Sequence, residues 1–212
     1  MIKVAFLFDR NNDWIKNFFN FSSDYLSNFE VTVADDPKDL ISNEIVFVLG
    51  YTKKLGKDFL KKNTMTLVIH ESDLPYGKGF SPIQWQILEG KNKVTASLIE
   101  ITEEIDAGDI IEQTEIFFDG TELYDEIREK QAKASIKLIK TFLENYPAYS
   151  RKSQLGESTF FRRRNPEDSK LDINKTILEN FCLMRINNNE GWPSYFIHNE
   201  KKYIIKIYKE DI

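Results

Sequence analysis

The sequence predicts an α/β domain with a mostly parallel central sheet. The chain begins with a continuous apolar run at 2–8 that is rich in strand-forming residues, as expected of a strand buried on both faces. Strand-like and helix-like segments then alternate as far as the run at 65–70. The 212 residues, 41% of them hydrophobic and 30% charged, are enough for a sizeable core in a globular protein.

The N-terminal part contains four predicted strands and two predicted helices. Apolar runs mark the strands, and an approximate helical stripe marks the first helix. In chain order we expect a strand at 2–8, a helix at 14–26, strands at 29–35 and 44–51, a short basic helix at 53–63 and a strand at 65–70. His70 ends the last of these strands. Ligands bind beyond the C-terminal ends of strands in such sheets, so His70 is placed where function is expected.

The following part is predicted to be more mixed. A helix at 81–90 has Ser81 as its N-cap, Pro82 in its first turn and Gly90 just past its end. We expect Thr121 to cap the longest helix. The further elements are an antiparallel strand pair at 94–101 and 109–118, the long helix at 122–146, a short helix at 175–186 and a hairpin at 194–209.

Residues 148–172 are polar and irregular, and we expect a crossing segment or linker there. The predicted organisation is therefore a main domain at 1–150, followed by a linker and a small helix–hairpin extension at 151–212.

Charge and composition disfavour several classes of protein. A net charge of −5 does not favour binding to the phosphate backbone of nucleic acid. The run RRR at 162–164 could hold a phosphate group, but it is more typical of a solvated surface. No apolar run is long enough to cross a bilayer and no secretory signal is evident, so we expect a cytoplasmic protein without a membrane partner.

Metal sites and disulfides are disfavoured as well. Cys182 is the single cysteine, which excludes an internal disulfide, and we expect it to be a small core residue. With two histidines and one cysteine, a zinc site would need several carboxylates, so no metal is expected.

The segment HESDLPYGKGFSP at 70–82 contains a Gly-x-Gly pair that invites a nucleotide-binding interpretation. The dinucleotide fingerprint needs G-x-G-x-x-G directly after the first strand, but here that strand leads into DRNNDW, which has no glycine. The later pair lacks a third glycine, and a Walker A loop is absent. NAD and ATP are therefore disfavoured as cofactors.

A second polar loop, EEIDAGDII at 103–111, lies between two predicted strands and by itself is typical of a tight turn. The order of the motifs along the chain is more informative than this loop alone. VIHESDLP, GKGFSP, LEG and IDAGDI together resemble the pattern of the 10-formyltetrahydrofolate-dependent formyltransferases, most closely the sugar N-formyltransferases. FFRRRNPEDSKLD and MRINNNEGWPSYF are similar to the end of such a domain in a sugar-modifying member, so the resemblance extends over about residues 44–208.

The resemblance implies a Rossmann-like formyltransferase domain with His70 and Asp106 as the catalytic residues. His70 would act as acid/base and oxyanion stabiliser, and Asp106 would orient it. The asparagine that the family places two residues before the histidine is Val68 here. Another group must then donate to the oxyanion or the enzyme is slower, and Ser72, Glu71 and a backbone amide remain alternatives.

The resemblance also implies the binding residues. The donor, 10-formyltetrahydrofolate, would be bound by Leu49, Gly50, Tyr51, Ile105, Gly108 and Asp109. The acceptor would be contacted by Ser72, Lys78, Trp85, Arg185 and Trp192. From the residues alone, structural roles remain open for several of these: core packing for Leu49 and Trp85, a strand end for Gly50, a solvated loop for Lys78, and packing of the hairpin for Arg185 and Trp192.

The expected acceptor is the primary amine of an amino sugar, nucleotide-linked or of the nonulosonic-acid type, in lipopolysaccharide or flagellar glycan biosynthesis. A tRNA formyltransferase would carry a basic C-terminal domain, whereas this sequence ends at Ile212 and is acidic. The alternatives are transfer to another small amine such as a phosphoribosyl-amine, a hydrolase on the same fold, and a non-catalytic folate- or sugar-binding module. A homodimer through the aromatics near 117–124 and the hairpin is a further expectation.

Overall fold

A computed structural model describes residues 1–210 and has a six-stranded sheet at its centre. The strands of this sheet are β1 (Ile2–Leu7), β2 (Phe29–Ala34), β3 (Ile45–Val48), β4 (Met65–His70), β6 (Lys93–Glu100) and β7 (Ile110–Phe117). Two short strands, β5 (Lys78–Gly79) and β8 (Phe160–Phe161), pair with each other outside it. Near the C-terminus, β9 (Ser194–His198) and β10 (Lys201–Ile205) form the expected hairpin.

The central sheet has the strand order β2-β1-β3-β4-β6-β7. Its first three pairings are parallel, whereas β4–β6 and β6–β7 are antiparallel. The predicted α/β class with a mostly parallel sheet is confirmed, and an antiparallel pair forms one edge. β4 therefore lies between the two kinds of pairing, with His70 at its C-terminal end.

Helices cover both faces of the sheet. They are α1 (Asp13–Phe18), α2 (Lys57–Lys62), α3 (Pro82–Leu88), α4 (Tyr124–Asn145) and α5 (Ile177–Arg185). Along β1, Phe6 packs in a cluster with Phe142 of α4, whereas the next residue, Leu7, packs in a second cluster with Phe59 of α2. Because successive strand residues point to opposite faces and both faces are covered, the strand is apolar throughout. Within residues 1–210, no helix combines the length and the apolar character that a membrane span requires.

The single helix predicted at 14–26 is wrong. The structure has α1 and then a separate 3-10 turn at Asp24–Leu26. Between them, Asn20 Oδ1 accepts a hydrogen bond from the Ser22 amide at 3.0 Å, and Ser23 Oγ donates to the Asn20 carbonyl at 2.7 Å. These local bonds compete with helical ones, so the apolar stripe is interrupted.

Two single-residue predictions are also wrong. Thr121 does not cap α4, because its amide and hydroxyl bond to Asp119 Oδ1 in the preceding turn, and Leu123 takes the N-cap position. Cys182 is exposed, since α5 buries its other face through Asn180 and Met184.

Residues 152–163, here named the strap, are irregular as predicted except for β8. Ile110 and Lys152 exchange two backbone hydrogen bonds of 2.8 Å, and β8 pairs with β5. The division of the chain at residue 150 stays a prediction, but the strap is bonded to the main sheet at Ile110 and to the separate strand β5.

Candidate active site

A cavity of about 590 Å³ opens at the C-terminal end of the parallel strands, and its volume is typical of a small-molecule site. Its walls come from the loops after β1 and β3, the end of β4, the start of α3, the loop between β6 and β7, and one face of α4. Its position agrees with the rule that ligands bind beyond the carboxyl ends of strands in open α/β sheets.

His70 and Asp106 meet in this cavity. His70 Nδ1 lies 3.5 Å from Asp106 Oδ2, and only 6% of the histidine is exposed. β6 runs antiparallel to β4 with Glu100 opposite Leu67, and the following loop folds back toward His70, where the Gly79 amide holds Asp106. The structure thus brings together the two residues that the sequence predicts as a catalytic pair.

The contacts of the imidazole define where it carries protons. His70 Nε2 lies 2.8 Å from the Gly77 carbonyl oxygen, which can only accept, so Nε2 is the donor. Nδ1 faces the Asp106 carboxylate. The neutral ring, with its proton on Nε2, directs a lone pair toward that carboxylate, whereas the protonated ring donates at both nitrogens. The arrangement is therefore suited to accepting and holding a proton at Nδ1.

The loop that carries Asp106 is held by three contacts. Asp106 has a positive φ of 50°, and its Oδ2 accepts a hydrogen bond of 2.8 Å from the Gly79 amide. Gln154 Nε2, from the strap, donates to the carbonyls of Asp106 at 2.8 Å and Gly108 at 2.9 Å. A Cβ on Gly108 would lie 1.7 Å from the Glu100 carbonyl oxygen, so this glycine allows the loop to rest directly on β6.

The Gly-x-Gly pair fixes His70 and Asp106 to each other. The Gly77 carbonyl accepts from the imidazole, and the Gly79 amide donates to the carboxylate. Gly79 has φ +98°, and a Cβ there would lie 2.3 Å from the Phe161 carbonyl oxygen. Only glycine satisfies both conditions. The sequence disfavoured a nucleotide role for this pair but did not reveal this structural role.

The strap also contacts the loop that contains Gly77 and Gly79. Thr159 Oγ1 accepts a hydrogen bond of 2.8 Å from the Gly77 amide. Trp85 Nε1 donates to the Arg162 carbonyl at 2.9 Å, and the Arg162 guanidinium lies 4.8 Å from the Trp85 ring centre. Arg163 Nη2 donates to the Thr52 carbonyl at 3.2 Å, across the mouth of the cavity.

The three arginines at 162–164 do not form one solvated patch, contrary to expectation. Arg162 pairs with Asp168, and Arg164 is buried with its Nη2 2.8 Å from Asn187 Oδ1. Arg163 alone of the three reaches the cavity mouth.

The residues predicted to bind the donor are partly brought together. Gly50, Tyr51 and Ile105 line the cavity with Asp106. Leu49 does not, because it is buried in the core. Gly108 and Asp109 lie outside the lining too, Gly108 against β6 and Asp109 Oδ1 3.1 Å from Ser153 Oγ.

None of the residues predicted to contact the acceptor lines the cavity. Ser72 is fully buried and its carbonyl accepts from Ser97 Oγ at 2.7 Å. Lys78, expected either in the site or in solvent, is buried beneath the strap with its Nζ 6.0 Å from the Phe160 ring. Trp85 supports the strap. Trp192 is 44% exposed in the C-terminal region.

Arg185, another residue predicted to contact the acceptor, has a structural role instead. Its Nη2 lies 2.8 Å from Glu122 Oε2 and its Nε 2.9 Å from the Glu122 carbonyl, and both side chains are buried. It therefore joins the end of α5 to the turn before α4 rather than reaching the cavity.

Sequence inspection missed the far end of the cavity, beyond His70. Trp14 lies there opposite a face of α4 formed by Tyr124, Arg128 and Gln131. The Arg128 guanidinium is 5.5 Å from the Trp14 ring centre and 5.0 Å from that of Tyr124. The i, i+4, i+7 spacing of these three α4 residues on one helix face was the signal that could have revealed them.

Glu71 also lines this end, and its carboxylate accepts a hydrogen bond of 2.6 Å from Gln131 Nε2. Burial raises the pKa of the Glu71 carboxyl above its ordinary value, although the charge of His70, the Gln131 bond and Arg128 act in the opposite direction.

Val68 lines the cavity two residues before His70. It lies in register between Val48 of β3 and Ile99 of β6, and it packs against Leu74 and Ile110. The position where the family carries an asparagine is therefore an aliphatic part of the wall, and its strand neighbours offer no side-chain donor.

Comparison with known proteins agrees with this geometry. A sequence model of the family described as formyl transferase matches residues 17–143, which is more than half of the chain. A methionyl-tRNA formyltransferase of Fusobacterium nucleatum is 32% identical over 174 residues, which are 80% of this chain and 55% of that protein. One from Francisella philomiragia is 28% identical over 162 residues, 76% of this chain and 51% of that protein. The chain spans about half the length of these curated relatives.

Solved structures share the whole fold. A methionyl-tRNA formyltransferase from Clostridium thermocellum superposes with a TM-score of 0.80 at 22% identity, covering 100% of this chain and 94% of the other. A sugar N-formyltransferase from Shewanella gives 0.71 at 16%, with 100% of both chains covered. HypX from Aquifex aeolicus in complex with tetrahydrofolic acid gives 0.76 at 17%, over 97% of this chain and 37% of that one. At these identities the likeness shows the fold, while the match of the family's sequence pattern shows the relationship: the chain belongs to the formyl transferase family.

Proposed function

We propose that this protein transfers a formyl group from 10-formyltetrahydrofolate to the primary amine of an amino sugar used in surface glycan biosynthesis. The observation that carries the proposal is the 3.5 Å approach of His70 and Asp106 inside a cavity at the sheet edge. An imidazole paired with a carboxylate is the arrangement expected of a general acid–base catalyst.

The near end of the cavity fits the donor. Val48, Leu55 and Ile101 provide apolar walls for a flat heteroaromatic ring. The backbone from Thr102 to Asp106 borders the same space and offers polar groups to the ring edge. The likeness to a tetrahydrofolate complex of HypX supports this assignment.

The chemistry assigned to the chain is proton handling and stabilisation of charge. The bound donor supplies a formyl carbon activated by its folate nitrogen. His70 accepts a proton at Nδ1 as the amine attacks, and the resulting imidazolium stabilises the negative charge that develops on the formyl oxygen. Asp106 lies beside Nδ1 and stabilises that charged ring.

The far end of the cavity supports a sugar acceptor. Trp14 and Tyr124 provide aromatic faces, and Asn12, Gln84 and Arg128 provide polar groups around them. This combination suits the apolar faces and hydroxyl edges of a sugar ring. The likeness to a sugar N-formyltransferase is in line with it.

Methionyl-tRNA is the second candidate acceptor, because the curated relatives at 28% and 32% identity are methionyl-tRNA formyltransferases. The net charge of −5 weighs against a nucleic acid partner. Another small amine is a further alternative within the same chemistry.

One experiment separates these acceptors. Purified protein is incubated with 10-formyltetrahydrofolate and either TDP- and UDP-linked amino sugars, other small primary amines or methionyl-tRNA, and formylated product is detected by mass spectrometry. We expect product with an amino sugar. Product with methionyl-tRNA alone would contradict the sugar assignment. Absence of product with every amine, combined with tight folate binding, would indicate a non-catalytic binding module.

A further inference from the structure

The cavity holds a carboxylate that the mechanism above does not use. Glu71 follows His70 directly in the chain and lines the far end, where Trp14 and the α4 face lie. Its backbone carbonyl is fixed by Gln86 Nε2 at 2.7 Å and its carboxylate by Gln131 Nε2 at 2.6 Å. Both ends of the residue are therefore held in place.

One oxygen of this carboxylate is open to the cavity. Gln131 bonds to Oε1, and no side chain or amide within residues 1–210 donates to Oε2. Oε2 is also not among the sealed polar atoms of that part of the chain. A ligand in the far end of the cavity would therefore meet an acceptor beside His70.

The acceptor amine requires a group that accepts a proton before the amine can attack. A primary amine is present mostly as an ammonium ion at neutral pH, and an ammonium ion has no lone pair with which to attack. It must lose a proton before the new bond forms. His70 is needed for the second proton, which leaves as the amine attacks, so a separate group for the first proton has a clear role.

We propose that Glu71 receives the ammonium group of the acceptor and removes its first proton, delivering the neutral amine beside His70. This inference rests on the proposed function. The bond from the acceptor nitrogen to the formyl carbon forms, the bond from that carbon to folate N10 breaks, and a proton ends on N10. The other proton returns to solvent from Glu71.

The surroundings of Glu71 favour this transfer. A carboxylate and an ammonium ion that meet in this cavity become two neutral groups when the proton moves, and partial removal from water favours the neutral forms on both sides. The same burial raises the pKa of the Glu71 carboxyl and so increases its proton affinity. The charged groups that face it are His70 from β4 and Arg128 from α4, while α3 contributes Gln86, which does not titrate.

Arg128 and Gln131 influence the ionisation of the Glu71 carboxyl. Arg128 Nη1 donates to Gln131 Oε1 at 2.6 Å, and Gln131 in turn donates to Glu71. The Gln131 bond lowers the pKa of the Glu71 carboxyl against the dominant effect of burial. Removing that bond should therefore shift the ionisation of Glu71 to higher pH.

The test is the pH profile of kcat/KM for Glu71→Gln with the amino-sugar acceptor that the panel identifies. We expect a loss of about 10²- to 10⁴-fold at neutral pH, the usual contribution of a general base. The loss should shrink as the pH rises and the acceptor amine becomes neutral by itself. His70→Ala should show no such recovery. Binding of the unreactive analogue 5-formyltetrahydrofolate, measured by calorimetry, should be unchanged in Glu71→Gln.

Two further variants complete the test. Glu144→Gln makes the same chemical change at an exposed position of α4 and should match the wild type at every pH. Gln131→Leu keeps the carboxylate and should move the acid limb of kcat/KM to higher pH, which provides a readout if Glu71→Gln does not fold. Wild-type rates in Glu71→Gln, an equal loss at all pH values, or an unmoved limb in Gln131→Leu would overturn the inference while leaving formyl transfer intact. Failure of the wild type with every amine would overturn both.

Discussion

At the scale of single residues, the imidazole of His70 is oriented mainly by backbone groups. The Gly77 carbonyl fixes Nε2 and thereby directs Nδ1 toward Asp106, while the Gly79 amide fixes the carboxylate. Two backbone groups of one short loop therefore determine the distance between the two side chains. This explains why glycines flank Lys78, although no phosphate-binding pattern is present.

Gly79→Ala tests this role. Because φ is +98° and the new Cβ would lie 2.3 Å from the Phe161 carbonyl oxygen, the loop must shift and the bond to Asp106 must lengthen. We expect kcat/KM to fall by about 10²-fold, the effect of a displacement of about 1 Å in an active site. Gly120→Ala is the matched control, with φ +99° and no atom within 4 Å of its Cβ. It should lose about 1–2 kcal/mol of stability and keep full activity. Equal activity in the two variants would contradict the role of Gly79.

Val68 is the residue at which this chain departs from the pattern of its family. Since its neighbours Val48 and Ile99 provide no side-chain donor, Val68→Asn should add one at the cavity wall. We expect kcat to rise roughly 10-fold, below the ~10²–10³ that is lost when such a donor is removed elsewhere. The measurement is kcat under saturating donor and acceptor, with Val68→Ala as control. A folded Val68→Asn protein with the wild-type kcat would indicate that another group already donates to the oxyanion.

At the scale of elements, the strap differs most from what the sequence suggests, while α5 forms where predicted but is anchored by a contact that its own segment does not reveal. The strap has the composition of a linker, yet Gln154 bonds to the loop that carries Asp106 and Thr159 bonds to the loop that follows His70. α5 is anchored differently, through the buried pair of Arg185 and Glu122. Both features arise from contacts between distant parts of the chain, which a pattern within one segment does not record.

The buried pair of Arg185 and Glu122 should make the stability of the protein depend on pH. Burial raises the pKa of the Glu122 carboxyl. The hydrogen bonds from Lys130 and from the amides of Asp119 and Gly120 together lower this pKa by more than burial raises it, so the net shift is downward. Its ionisation therefore contributes stability that is fully present above the ordinary value of 4.5 and is lost as the pH falls through the folded-state pKa.

Glu122→Gln should lower the free energy of unfolding by roughly 3–5 kcal/mol at neutral pH, because Arg185 is left buried without a counter-charge. The difference from the wild type should diminish below pH 4.5. Chemical denaturation at several pH values measures both effects. Glu129→Gln removes a carboxylate from an exposed pair with Lys133 and should cost less than about 1 kcal/mol. Equal effects in the two variants would show that the buried pair adds nothing.

At the scale of the whole molecule, the six-stranded sheet assembles the site from separate segments. The parallel strands β3 and β4 end at the same edge, and the loop that follows the antiparallel strand β6 folds back so that Asp106 meets His70 there. α4 then closes the far end of the cavity with Arg128 and Gln131. No single segment contains the site, so its integrity depends on the complete sheet.

The sequence predicted the elements of this sheet well, because buried strands are apolar throughout and helix boundaries carry local signals such as Pro82 and Gly90. Its resemblance to the formyltransferases also identified His70, Asp106, Gly50, Tyr51 and Ile105, all of which line the cavity. The sequence did not identify residues that line the proposed acceptor end of the cavity. Lys78, Trp85 and Arg185 have polar or aromatic side chains in suggestive segments, but their positions depend on contacts with the strap and with Glu122.

The central claim is that His70 and Asp106 act as one unit, and a double-mutant cycle on kcat tests it most directly. His70→Ala, Asp106→Asn and the double variant are measured with the acceptor found in the panel, after 5-formyltetrahydrofolate binding has shown that each variant keeps the donor site. We predict that the single variants lose about 10²- to 10⁴-fold and that the double variant loses little more than His70→Ala alone. Losses that multiply in the double variant, or a wild-type rate in Asp106→Asn, would contradict the account.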